Sequence, residues 1–144
     1  MVVRSGDRPE FISLGDVVKQ IGVSPDRIRL DPRPGAVSFR DYLRITSKTE
    51  RLYELVDGTL VEKTVGAPES RNSIKLARKM DEFVENNDLG YVLGPDGGIR
   101  MLSSLVRMPD VSFISWDRRP AGTFPTDQVS NEIPDLAVEV ISPS

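Results

Sequence analysis

Leu105-Val106-Arg107-Met108-Pro109-Asp110-Val111-Ser112-Phe113-Ile114 is an apolar, β-prone run interrupted by a carboxylate, and Leu136-Ala137-Val138-Glu139-Val140-Ile141 repeats the pattern. Short runs of this kind read as strands with at least one buried face. Burying a carboxylate is costly unless it is paired, protonated or bound to a cation, so two acids in neighbouring core strands mark a site. Strand positions Val106–Ser115 and Asp135–Ile141 are expected, with Pro109 at a start, a bulge or an edge.

Working outward, Tyr53-Glu54-Leu55-Val56, then Asp57-Gly58, then Thr59-Leu60-Val61-Glu62-Lys63 places a tight-turn dipeptide between two β-prone runs, the strongest local signature of a hairpin. A helix is expected from about Glu69 to Asn86, with Ile74, Ala77, Met80 or Asp81 and Val84 near one face and Leu76 and Phe83 widening it. Tyr91–Leu93 and Ile99–Leu102 read as strands and Gly94-Pro95-Asp96-Gly97-Gly98 as a turn between them. That glycine-rich turn has neither a P-loop lysine nor dinucleotide-binding spacing. Trp116–Pro134 reads as a loop. Upstream, Ser13 caps a short helix stopped by Gly22, with Leu14, Val17, Val18 and Ile21 on one face, and Ser38 caps a second. Residues 1–48 are therefore expected to be an N-terminal helical extension packing on a core of 49–144.

The chain has 144 residues, net charge −3, no cysteine and no histidine. Without imidazole or thiol there is no Ser-His-Asp or Cys-His system and no zinc site of the usual kinds. The chemistry left uses carboxylates, hydroxyls, lysine and a hard cation, which points to oxygen-ligated Mg²⁺ or Mn²⁺. No apolar run approaches the roughly 20 residues that span a bilayer, and Met1–Glu10 has no apolar signal core, so a cytoplasmic protein without membrane partners is expected. The acidic balance weighs against indiscriminate nucleic-acid binding, although Arg71, Lys75, Arg78 and Lys79, or Arg118 and Arg119, offer local basic surfaces.

Tyr53-Glu54-Leu55-Val56-Asp57-Gly58, Leu60-Val61-Glu62-Lys63, Gly94-Pro95-Asp96-Gly97, Pro109-Asp110-Val111-Ser112-Phe113-Ile114-Ser115-Trp116 and Pro134-Asp135-Leu136-Ala137-Val138-Glu139-Val140-Ile141-Ser142-Pro143, in this order, resemble the Uma-type restriction endonucleases of the PD-(D/E)xK nuclease-like superfamily. The resemblance spans nearly the whole chain. It implies an α/β (α+β) fold with a restriction-endonuclease-like mixed β-sheet core and a flanking helix, acting as a metal-dependent endonuclease on DNA. By it, Asp110 is the acid of the Pro-Asp motif and Glu139 that of the second motif, together holding Mg²⁺ or Mn²⁺, with Glu69 from the preceding helix assisting. Glu69 also suits the first turn of any helix. Glu54 and Glu62 read as solvent-facing cross-strand or ion-pair residues.

The superfamily pattern has a lysine two residues after the second acid, where this sequence has Ile141. The resemblance implies that a helix following the Ser-Pro motif, beyond Ser144, supplies it, so the core is expected to continue past this C-terminus. Lys63, Lys75 and Lys79 are the candidate substitutes for that lysine, although their spacing is that of ordinary solvated surface lysines. The alternative function is a nuclease fold without cleavage activity that serves as a DNA-binding or protein-interaction module; a homodimer is compatible with either.

Overall fold

The computed structural model describes residues 10–64, 66–119 and 122–141. The readings of the first nine residues and of Ser142-Pro143-Ser144 lie outside them. The described residues form two compact units, one of 10–64 with Leu102–Leu105 and the other of 66–101 with 106–141. Three α-helices and two mostly antiparallel sheets make up the mixed α/β architecture expected, consistent with a restriction-endonuclease-like α+β fold.

In the first unit, helix α1 (Leu14–Ile21) opens on a reciprocal cap: the Asp16 N–H donates to Ser13 Oγ at 3.2 Å and the Ser13 N–H to Asp16 Oδ2 at 2.8 Å. Gly22, at φ 71°, closes it in the left-handed region. Val17 is buried with Phe11 and Ile28, and Val18, Ile21 and Val23 pack against them, whereas Leu14 is exposed. Helix α2 (Phe39–Thr46) repeats the device with Ser38 and Asp41.

Strands β1 (Tyr53–Val56) and β2 (Thr59–Glu62) form the hairpin, with Val56 opposite Thr59 and Tyr53 opposite Glu62. Asp57 and Gly58 have φ of 48° and 69°, so both central residues are left-handed, which matches the turn to the strand twist. A Cβ at Gly58 would stand 2.7 Å from the Gly35 carbonyl oxygen. Leu55, Leu60 and Val61 are fully buried, and the buried Tyr42 hydroxyl donates to the Tyr53 carbonyl at 2.9 Å.

The second unit begins with helix α3 (Ala67–Asn86), whose Ser73, Leu76, Ala77, Met80 and Val84 turn inward. Ile74 and Phe83, expected on or beside that face, are exposed instead, because the buried stripe runs through Ser73 and excludes its neighbours. The helix packs on strands β3 (Gly90–Leu93) and β6 (Val111–Ser115). Three further strands are β4 (Gly98–Leu102), β5 (Leu105–Arg107) and β7 (Val129–Ser130), with β4 and β7 parallel. Strand β8 (Leu136–Val138) completes an antiparallel sheet in the order β3-β6-β8. Tyr91, Ile99 and Ile114 form the local core, flanked by Leu93, Met101 and Trp116.

Three strand expectations change. The Val106–Ser115 run is two strands, broken at Met108–Asp110, because Pro109 has no N–H to continue a ladder. The Trp116–Pro134 loop contains β7. Strand β8 is not a buried core strand: it pairs only with β6 among the described residues, Leu136 is 48% exposed and Glu139 is exposed. Its apolar letters report β propensity, and no described element covers its outer face.

Candidate active site

Asp110 stands where the chain enters β6. Met108 and Pro109 before it are buried, and Asp110 itself is half-buried. The β6–β8 ladder pairs Phe113 with Leu136, Ser112 with Ala137 and Val111 with Val138. Asp110 and Glu139 are the residues immediately beyond the last pair of this ladder, Asp110 before Val111 and Glu139 after Val138. The backbone ladder stops there, and the Asp110 side chain takes over: its Oδ2 accepts the Val140 N–H at 2.7 Å. That bond ties the first acid to the residue following the second.

Alternation within β6 puts Ser112 and Ile114 on one face, with Asp110 immediately before the strand. Ser112 is fully buried and its Oγ has no hydrogen-bond partner among the described residues. An orphaned buried hydroxyl is uncommon and needs an explanation such as a water or an ion. Carboxylate and hydroxyl oxygens are hard donors, so the chemistry of Asp110, Glu139 and Ser112 suits Mg²⁺ or Mn²⁺ rather than softer metals.

Glu69 lies in the first turn of α3. Its carboxylate folds back on Gly66, the residue that caps the helix, where a Cβ would overlap Oε2. There it complements the positive end of the helix. Among the described residues no group of three or more acidic side chains gathers around a common point.

The start of β8 is clamped separately. Asp135 Oδ1 accepts from Arg118 Nε at 3.0 Å and Nη2 at 2.9 Å, while its Oδ2 accepts the Ser115 N–H at 2.9 Å. The Ser115 N–H first, and Arg118 second, hold this carboxyl below its ordinary titration range. Arg119 pairs with Glu132 at 2.6 Å. Arg118 and Arg119, read as a basic surface, are thus neutralised within the loop. Arg71, Lys75, Arg78 and Lys79 are all exposed, at spacings that gather them on one side of α3.

The first unit corrects two further expectations. Glu54, read as solvent-facing, is 5% exposed, and Lys63, read as a surface lysine, is 9% exposed. Glu54 opposes Val61, so Lys63 is its diagonal neighbour on one face of the hairpin. Burial, and secondarily the negative charge of Glu54, push the Tyr42 hydroxyl up to about 12. Alternation along β1 indicates which face Glu54 takes, but not that the face is covered. Glu62 does behave as expected, pairing with Arg51 at 3.0 Å.

Residues 39–144 match the family model Uma2, described as "Putative restriction endonuclease". No curated protein matches the chain.

Proposed function

The chain belongs to the Uma2 family, and from that premise we propose that it is a metal-dependent endonuclease hydrolysing phosphodiester bonds in DNA, with Asp110 and Glu139 holding Mg²⁺ or Mn²⁺. The observation that supports this reading is the join at the end of the ladder: Val111 pairs with Val138, the neighbours of Asp110 and Glu139, and the Val140 N–H donates to Asp110 Oδ2 at 2.7 Å. A divalent ion held by Asp110 and Glu139 would supply Lewis acidity and water activation for phosphodiester hydrolysis. The residues do the rest. The Val140 N–H occupies one Asp110 oxygen and orients the other, while Ser112 Oγ provides a buried donor or acceptor. Glu69 serves from the first turn of α3, and the exposed basic side of that helix supplies charge for the DNA backbone.

A second reading rests on the same bond. A carboxylate accepting a strand-end N–H is a sufficient structural role for Asp110, which leaves a nuclease fold that binds DNA or protein without cutting. Plasmid and branched-DNA nicking with Mg²⁺ or Mn²⁺ separates the two. Activity abolished by Asp110→Ala is expected; DNA left intact by the wild-type chain under both ions favours the second reading, and equal nicking by both proteins assigns it to a contaminant.

A further inference from the structure

We propose that the first unit carries a phosphate-binding pocket of its own, at the C-terminal end of α2. A pocket of about 390 Å³ is lined by Arg29, Arg44, Ile45, Lys48 and Thr49. In a chain with more acidic than basic residues, these walls hold three cations and no carboxylate. Asp41 offsets the charge of Arg44 from outside the walls at 2.6 Å, which leaves Arg29 and Lys48 as like charges that an anion between them would draw together.

The polar side chains of the walls present hydrogen-bond donors. Arg29 is held on three sides: its N–H donates to the Leu60 carbonyl at 2.9 Å, its Nε donates to the Asp31 carbonyl, and its guanidinium carbon lies 5.5 Å from the centre of the Tyr53 ring. Among the described residues neither terminal amino group has a hydrogen-bond partner, so both remain for a ligand. Arg44 is steadied by Asp41 through a single Nη2 bond of 2.6 Å. Thr49 Oγ1 accepts the Arg51 N–H at 3.2 Å, which leaves its own proton to donate. Lys48 has no ion pair among the described residues. Planar guanidinium forks, an ammonium and a hydroxyl form a donor set that matches an acceptor-only oxyanion, for which phosphate is the natural class. The volume exceeds a single phosphate and accommodates a stretch of phosphodiester backbone or a small phosphorylated molecule, with Ile45 as an apolar wall.

Phosphate binding here needs neither Asp110 nor a metal, so it is tested in chelator, apart from cleavage. Binding of unrelated duplexes across a salt series is compared for wild type, Lys48→Gln, Arg44→Gln/Lys48→Gln and the surface control Lys19→Gln, with circular dichroism confirming that each is folded. In parallel, pyrophosphate is titrated while the melting temperature is followed. If DNA backbone is the occupant, the double variant binds all duplexes about tenfold more weakly and its salt slope falls by about 2, one per lost contact. If the occupant is a small phosphorylated molecule, pyrophosphate raises the melting temperature of the wild type and of Lys19→Gln but not of the double variant, with the DNA slope unchanged. Either result supports the pocket. A double variant matching wild type in both assays, or a wild type that responds to neither duplex nor pyrophosphate, overturns it.

Discussion

The β1–β2 hairpin and the β6–β8 pair are both antiparallel, yet an acidic residue of one, Glu54, and an acidic residue beside the other, Glu139, are treated in opposite ways. Glu54, whose alternating context reads as exposed, is buried; Glu139, whose continuous apolar context reads as buried, is exposed. The hairpin closes through two residues, while β6 and β8 are separated by a 20-residue connection and rely on Asp110, Asp135 and Arg118 to hold the join. Strand letters report the tendency to be extended, but burial depends on what covers a face, which is a non-local property. An exposed acid beside a half-buried one is also the better arrangement for a metal site, because an ion and a substrate must reach it from solvent.

The largest expected effect breaks the comparison on function. Asp110→Ala and Glu139→Ala should each reduce Mg²⁺-dependent cleavage by more than the roughly 10–100-fold that loss of an outer-shell partner costs, whereas the buried Glu54→Gln should leave the folded protein's metal binding intact. Stability should invert the order. Chemical denaturation of Glu54→Ala should show a loss of about 1–3 kcal/mol, as removal of a buried hydrogen-bonding group does, and metal-free Glu139→Ala should stay within about 0.5 kcal/mol of wild type. Equal losses would mean that the two acids do not differ in burial.

Asp110 sharpens the contrast between structural and catalytic roles. Asp110→Asn keeps an oxygen acceptor for the Val140 N–H but gives up the charge, so it should retain most of the stability that Asp110→Ala loses, about 1–3 kcal/mol, while binding metal no better than Ala. Gly58→Ala probes the turn. The left-handed φ of 69° and the Gly35 carbonyl 2.7 Å from the added Cβ should destabilise the hairpin by more than about 1 kcal/mol in thermal or denaturant unfolding.

The smallest effect is a pH dependence at the start of β8. The Asp135 carboxyl titrates lower in the folded chain than in the unfolded one. Its contribution is therefore complete above the unfolded value, about 3.9, and is lost as pH falls through the lower folded value. The melting-temperature difference between wild type and Asp135→Asn should be constant near neutrality and shrink on acidification below that point. A difference independent of pH would show that the Ser115 and Arg118 bonds do not favour the carboxylate.

Local chemistry was the legible part of this sequence. Ser13 and Ser38 announced their helices and Asp57-Gly58 its hairpin, because caps and left-handed turns act within a few residues, whereas the split of the Val106–Ser115 run at Pro109 was read only as a bulge, start or edge. The motif order also led to the family. The burial of Glu54 and Lys63, the exposure of Ile74, Phe83 and β8, and the convergence of Arg29 with Arg44 and Lys48 were not legible, since each depends on segments distant in sequence. Strand β7 was hidden for another reason: two residues in parallel pairing with β4 carry no periodicity to read.

The central claim, that Asp110 and Glu139 share one divalent ion, is tested most directly by Mn²⁺ titration followed by electron paramagnetic resonance on wild type, Asp110→Asn and Glu139→Gln. The account predicts one bound Mn²⁺ per wild-type chain and loss of that binding in both variants while the fold is retained. Wild-type protein that leaves Mn²⁺ free, or variants that bind it as the wild type does, would contradict it.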